Sequence, residues 1–471
     1  MSEVAKSSIA ADLVVSVALL IPCVWQERIQ AIDLPSHVYN AWLANLIARG
    51  QAAGLWIQHQ WNNVLFDWML AWLLPRVGAS AAQRIAVGAA VLVFAWGAMF
   101  LIGHGGRRNR WLALPCAGVL AYGFIFQAGF FNFYLGLGIC FWYLALFLSG
   151  GARTRLLAMP LLLVAWLAHP MPVVWVVGLA AYVMIAERIP PRVRWVILAA
   201  GAVVLLAAHF LIQLRYPYTW SIGQAWQVTG APQVLLFSAK YDLPYGLLLA
   251  AWLMLLWRLA RKQGRRLLAD LRFQMWALTA VAVTVIPSAI TFPQYALAFS
   301  FISLRFSLAA GVLLCGLLNE VELRVPEKAL LMMCVVSYFG LLFADGRMLN
   351  RVEDRLDAVV GQLPTNTRVI GRLRSITMPI QLLHAVDRAC LGYCYSYANY
   401  EPASRQFRVR AAAGNPIVMA DYHDVSAVER GDYRVQARDL PLFLVYLCGA
   451  EVCARELREG EVVGGAEAAG K

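Results

Sequence analysis

Apolar runs of about twenty residues, the length that crosses the hydrocarbon core as a helix, recur along the first three quarters of the chain and are absent from the last quarter. They predict about eleven helices, near residues 9–25, 84–103, 111–127, 133–149, 155–169, 171–186, 194–214, 244–259, 273–291, 300–318 and 328–344. Two of these, on either side of His169, are short and joined by His-Pro-Met-Pro. The stretch Leu65 to Leu74 has only about ten apolar residues, too few to span, and reads as an interfacial or re-entrant helix. Residues 9–25 lack a small-residue cleavage site and read as an anchor.

Beyond residue 344 the pattern becomes that of a small α/β domain, residues 345–459. Arg347 to Val360 has helical periodicity, Gln362-Leu-Pro-Thr-Asn is a stop and turn, and Arg368-Val-Ile-Gly-Arg-Leu reads as a strand. Gln406-Phe-Arg-Val-Arg and Pro416-Ile-Val-Met also have strand character. Residues 460–471, rich in Gly, Ala and Glu, read as a disordered tail.

Composition agrees with a membrane protein: 61% of the 471 residues are hydrophobic and 14% charged, against about 25% charged in a soluble domain. The net charge of +13 does not point to nucleic acid, because residues 1–344 carry 24 Lys and Arg against 11 Asp and Glu, whereas 345–471 carry 16 of each. Of those 24 basic residues, 17 lie at Lys6, Arg107, Arg108, Arg110, Arg153, Arg155, Arg188, Arg192, Arg194, Arg258, Arg261, Lys262, Arg265, Arg266, Arg272, Arg324 and Lys328, in every second connector. That is the positive-inside pattern, and with an odd number of spans it puts the N-terminus inside and the tail outside. Leu65 to Leu74 then lies on the outer face, since counting it as a span would move Arg107 to Arg110 outside.

Five cysteines (Cys23, Cys116, Cys140, Cys315, Cys334) fall in or beside spans, where a thiol is a small buried hydrophobe. The other four, Cys390, Cys394, Cys448 and Cys453, form an even set in the tail and suit disulfides in an oxidising compartment; three connectivities are open. Zinc is the sharper alternative, but the spacings are loose and no ordered His pair accompanies them. No internal repeat and no phosphate-cradling Gly-rich loop is present, which argues against a soluble nucleotide-dependent enzyme.

Four acidic residues of the membrane part fall on the outer side: Glu27, Asp33, Asp67 and Asp242. Asp33-Leu-Pro is a helix start, with Asp33 as N-cap, Pro35 in the first turn and His37 one turn later on the same face. The bland reading is a cap; the functional one is a carboxylate beside an imidazole that takes a proton from an acceptor hydroxyl. Seven basic residues fall at the outer boundary: Arg28, Arg49, Arg76, Arg84, Arg215, Lys240 and Arg305. Arg305 opens an apolar span, where an ionised side chain is expensive and marks a candidate site; the alternative is snorkelling. Lys240 is a second phosphate candidate or a local partner of Asp242. His169 binds substrate or metal, or satisfies backbone groups beside the prolines. Tyr218, in Tyr216-Pro-Tyr-Thr-Trp220, belongs to an aromatic belt or to a platform that stacks on a sugar ring. The 397–410 stretch is the densest mix of aromatic, acidic and cationic groups, either an acceptor platform or a docking loop. Asp421-Tyr-His423-Asp424 has metal-ligand residue types but reads as a surface turn.

An Asp soon after the first span, an outer loop (26–83) with a half-apolar segment before span two, Arg84 opening that span, many short spans and an outward α/β tail together resemble the GT-C superfamily of membrane glycosyltransferases. The resemblance is to the protein O-mannosyltransferase and aminoarabinose-transferase type and covers nearly the whole chain. The family's acidic residue of the first outer loop matches Asp33. Where many members carry a second acidic residue or a His-Pro-Pro-like element, this chain reads Gln58-His59-Gln60-Trp61-Asn62-Asn63, without prolines. The resemblance implies transfer of a sugar from a polyprenyl-phosphate donor in the membrane lipid to a glycan, lipid or protein acceptor. In that reading Asp33 and His37 are catalytic; Asp67, His59, His169, Lys240, Arg305 and Tyr218 bind substrate. The leaving phosphate is stabilised by Arg305, Lys240 or a divalent cation (Mg or Mn); nothing in the sequence requires the metal. With a bacterial source the setting is the inner membrane, with the tail periplasmic. The rival readings are a transporter or flippase using the same cations, and a non-catalytic subunit of the same plan.

Overall fold

A computed structural model describes residues 3–104, 110–236, 238–373, 382–449 and 451–464. Arg107 and Arg108 of the predicted basic connectors, and residues 465–471 of the predicted tail, lie outside these. The chain is a helical membrane protein: six helical segments are long and apolar enough to cross a bilayer, Leu65–Ile102, Phe131–Ser149, Pro170–Glu187, Pro191–Arg215, Ala239–Ala269 and Val325–Val360. Four shorter apolar ones, Ile9–Val24, Trp111–Gln127, Leu271–Val285 and Ile302–Leu318, accompany them.

Every predicted span coincides with helix, with two local corrections. The 111–127 run is interrupted at Tyr122 and Gly123, leaving helices Arg110–Ala121 and Phe124–Gln127. The 273–291 run stops at Val285, because the residue before Pro287 is driven out of the helical region; Ile286 is extended. Residues Ala289–Ile290 then pair antiparallel with Tyr218–Thr219.

The chain divides into two compact units. The first comprises Met1–Trp25, Val87–Phe292 and Ala298–Phe343. Its helices are joined by the few polar groups they bury: Trp175 Nε1 donates to Thr279 Oγ1 (3.1 Å) and the Tyr182 hydroxyl to Gln274 Oε1 (2.8 Å). Between the Arg194–Arg215 and Asp242–Gln263 helices the described backbone includes the consecutive 3₁₀ turns Ile222–Thr229 and Ala231–Val234. Non-helical backbone inside a membrane protein must be satisfied by protein. Gln224 Nε2 donates to the Val283 and Ile286 carbonyls (both 2.9 Å), and Gln233 Nε2 to Leu304 O and Ser307 Oγ (both 2.8 Å). Gly230 links the two turns in the left-handed region (φ 78°), its Cα against the backbone of Gly311.

The second unit comprises Gln26–Ala86, Pro293–Leu297 and Ala344–Lys471, so residues 26–86, expected as a loop of the membrane part, group with the tail. A four-stranded sheet runs in the order Tyr395–Ser396, Arg368–Arg372, Leu442–Cys448, Glu451–Glu456; the first three strands are parallel and the last is antiparallel. Leu55–Ile57 of the first loop pairs antiparallel with Val409–Ala411 of the tail. The Leu34–Ala48 helix contributes Tyr39 and Leu43 to one core with Leu349, Leu356, Val360, Val369 and Val445. Arg28 meets Asp354 (2.6 Å) and Asp357 (2.7 Å), while buried Glu353 accepts from Arg388 (2.9 Å) and Gln30 (3.0 Å). The four tail cysteines form two local disulfides, Cys390–Cys394 and Cys448–Cys453.

Leu65 to Leu74 lies in a helix of its own, as expected: Gly78 is non-helical (φ 76°, ψ 167°) and separates residues 65–77 from the span that continues to Ile102 within the Leu65–Ile102 segment. Arg347 to Val360, by contrast, continues the last apolar helix as Val325–Val360. Pro416 to Met419 is not a strand, because Asn415 Oδ1 accepts the N–H groups of Ile417 (3.0 Å) and Val418 (2.8 Å), taking them from any ladder. Residues 460–464, expected within the disordered tail, are held by the fully buried Val463 side chain and its N–H bond to Tyr433 O (3.0 Å).

Gly230→Ala places a Cβ on the Gly311 backbone and strains a left-handed residue. The expected loss is about 2–4 kcal/mol, read as a lower thermal midpoint of the detergent-solubilised protein, with no comparable loss for Gly246→Ala, where the Cβ meets open space.

Candidate functional site

The helix Leu34–Ala48 begins after Asp33 with Pro35 in its first turn, as its sequence predicts. Asp33 occupies the cap position but has αR backbone (φ −88°, ψ −5°), and its side chain makes no capping hydrogen bond. The expectation of an N-cap carboxylate is therefore corrected: a cap needs extended backbone to turn its oxygen toward the N2 and N3 amides. Instead Asp33 Oδ1 lies 3.5 Å from His384 Nε2, with the Asp33 side chain 20% exposed. His384 Nδ1 is 3.6 Å from Asp387 Oδ2, and the Tyr400 ring lies 4.9 Å from the imidazole. His384 thus stands between two carboxylates. Burial works against its charge, but Asp387 and then Asp33 outweigh burial and raise its pKa above the ordinary imidazole value.

One turn on, the helix buries Ser36, His37 and Asn40 on the same side. His37 Nδ1 meets Asp67 Oδ1 at 2.7 Å, and Phe66 packs edge-on against the ring at 5.6 Å. Asp67 sits in the first turn of the Leu65–Ile102 helix, and Arg408 Nη2 donates to its carbonyl (3.0 Å). Burial again opposes the imidazolium, yet the Asp67 carboxylate, helped by Glu401 and Asp33, brings His37 up to about 9. Ser36 Oγ donates to Glu401 Oε1 (3.3 Å). Glu401 is pushed in the opposite sense: burial, with Asp67 and Asp33 nearby, holds it well above the usual carboxylate range despite His37 and Arg408. The Asn40 and Asn399 amides exchange hydrogen bonds (2.8 and 3.3 Å), and Asn399 Oδ1 also accepts the Glu401 N–H (3.3 Å), capping the Tyr400–Ser404 helix.

Of the predicted residues, Asp33, His37 and Asp67 come together here. His59 belongs to the same unit but is exposed in irregular chain after the Leu55–Ile57 strand. His169, Lys240, Arg305 and Tyr218 belong to the first unit. Arg305 packs its guanidinium on Phe130 (3.9 Å), with Phe133 and Phe299 at 5.4 and 5.5 Å, and donates Nε–H to Ser300 O (3.2 Å). His169 caps the Pro170–Glu187 helix, its Nδ1 accepting the Met171 N–H (3.2 Å). Lys240 is exposed, with Nζ 5.8 Å from the Tyr241 ring, and Tyr218 is exposed beside His209 at 6.4 Å.

His384, Asp387, Asn399, Glu401 and Arg408 were not singled out as site residues by the sequence. The signal for the first two is their spacing, a His and an Asp three apart; for Glu401 it is its place in the dense 397–410 stretch. Among the described residues no group of three or more His, Cys, Asp or Glu side chains is arranged to hold a metal ion. Asp67 faces His37, and Asp33 and Asp387 face His384. No protein-family model, curated protein or solved structure matches the chain.

The His37–Asp67 pair makes stability depend on pH. Because the folded imidazole titrates near 9 and the unfolded one near 6.5, the stabilisation is complete below about 6.5 and disappears as the pH rises through about 9. It is of order 2–3 kcal/mol. Asp67→Asn is expected to lower the thermal midpoint strongly at pH 6 and much less at pH 10; equal losses at both would show that the pair is not charged in the fold.

Proposed function

We propose that the protein is a membrane glycosyltransferase of GT-C type, moving a sugar from a polyprenyl-phosphate donor to an acceptor on the outer face of the membrane. The observation that carries this reading is Asp33: a carboxylate that caps nothing, stays partly exposed and is held by an imidazole, on a loop grouped with the polar tail. In this reading all eleven apolar stretches cross the membrane and the N-terminus is cytoplasmic. The tail is then extracytoplasmic, and its two local disulfides suit an oxidising compartment such as the periplasm of a bacterial inner membrane.

Asp33 accepts the proton of the acceptor hydroxyl as its oxygen bonds to the anomeric carbon. The bond from that carbon to the phosphate oxygen breaks, and its electron pair leaves on the polyprenyl phosphate, stabilised by cationic groups. His384, 3.5 Å away, orients the Asp33 carboxylate. No step uses a metal.

The test is release of polyprenyl phosphate by the purified protein given a panel of polyprenyl-phosphate sugars with acceptor glycans, lipids and peptides. Asp33→Asn, with an unchanged thermal midpoint, is expected to lose about 10²–10⁴-fold in turnover, as for a general base. His384→Gln is expected to lose less, since it leaves the carboxylate in place. Turnover untouched by Asp33→Asn would remove Asp33 from the reaction; absence of turnover with every donor would sink the transferase reading.

A further inference from the structure

The second unit matches several of its arginines with carboxylates. Arg28 has Asp354 and Asp357, Arg388 has Glu353, Arg438 has Asp424 and Arg455 has Glu461. Three arginines fall within six residues, Arg405, Arg408 and Arg410, and among the described residues none of the three forms an ion pair. Arg408 and Arg410 flank buried Val409 at the start of the strand that pairs with Leu55–Ile57, so they project to the same side of it. Arg410 Nη2 donates to Arg405 O (2.7 Å), and Arg408 Nη2 to Asp67 O (3.0 Å). Arg405 is one of four non-glycine residues with positive φ (64°), a strained position. Arg410 Nη1 is buried with no hydrogen-bond partner.

Neighbouring guanidinium groups without an ion-pair partner repel one another, and an unmatched buried N–H such as Arg410 Nη1 costs about 1–3 kcal/mol or more for a charged group. Burial, and after it the charge of Arg405, pushes the Arg410 pKa down, while Tyr295 and Glu401 partly offset this. Glu401, the nearest carboxyl to act on the cluster, favours its neutral form and does not cancel the charge. Such a group is relieved by an anion that offers several oxygens to planar donor forks, and phosphate is the anion whose geometry matches.

We propose that Arg405, Arg408 and Arg410 form a phosphate-binding site, with the unpartnered Arg410 Nη1 as its anchoring donor. In the transferase reading, on which this part rests, the occupant is the phosphate of the lipid-linked donor, and the site lies in the same unit as Asp33. The site takes the leaving-group role that the sequence offered to Arg305 and Lys240.

The test is binding to the full-length protein in detergent by titration calorimetry, with farnesyl phosphate, farnesol and inorganic phosphate as probes. Farnesyl phosphate is expected to bind and farnesol not, with affinity reduced at least tenfold by Arg410→Gln and by Arg405→Gln, and unchanged by Arg430→Gln, whose side chain is already paired with Asp432. Competition by inorganic phosphate at similar affinity would support the site and identify its ligand as the free anion. Farnesol binding as tightly as farnesyl phosphate would overturn the proposal, as would unchanged affinity in both variants. Arg405 is exposed, so its variant tests the site even where Arg410→Gln fails to fold. Binding that is lost in the variants, with no donor turned over by the wild type, keeps the site and removes the transferase; turnover with unchanged affinity does the reverse.

Discussion

A helix that buries a serine, a histidine and an asparagine on one side exists only if something outside it satisfies them. For the Leu34–Ala48 helix that something is Asp67 and the tail: His37 is matched by Asp67, Ser36 by Glu401 and Asn40 by Asn399. Each unmatched partner would cost on the order of 1–3 kcal/mol, more where charge is involved, so the first loop and the tail segment 399–408 form one cooperative polar core. The rest of the second unit follows from this. The strand pair Leu55–Ile57 with Val409–Ala411 fixes Arg408 under Asp67, and the Arg28 and Arg388 contacts hold the chain just before Asp33.

The transmembrane helices were legible because each is a local event: an apolar run has to bury its own backbone hydrogen bonds, and only helix does so within one segment. A helix end was read wrongly where a proline decided, at Pro287, and a tail strand where a side-chain contact decided, in the Asn415 turn. Nothing local in the sequence marks Gln224 or Gln233, because their acceptors lie some 59–74 positions away. The candidate site was half legible. Asp33, His37 and Asp67 stood out as rare acids and imidazole in one loop, whereas His384 and Glu401 became meaningful only when residues more than 300 positions apart met. The cap reading of Asp33 was a fair inference from local sequence, and it failed on backbone torsion, which sequence does not reveal.

The charge balance of the cluster decides which of its carboxyls has the chemistry of a base. Glu401 is the poorest choice near neutral pH, since burial and two neighbouring carboxylates favour its protonated form. Asp67 is buried and occupied at 2.7 Å by an imidazole that stays charged to about pH 9, so its lone pairs are committed to holding His37. Asp387 is buried and accepts from Ser396 Oγ while facing His384. Of these carboxyls Asp33 combines an imidazole partner with the side chain that solvent reaches most, at 20% against 9% or less for Asp67 and Asp387. The environments push Glu401 and His37 toward holding protons; in the transferase reading we propose, Asp33 is then the carboxylate an incoming hydroxyl can meet, which is the separation of roles that acid–base chemistry at one pH requires.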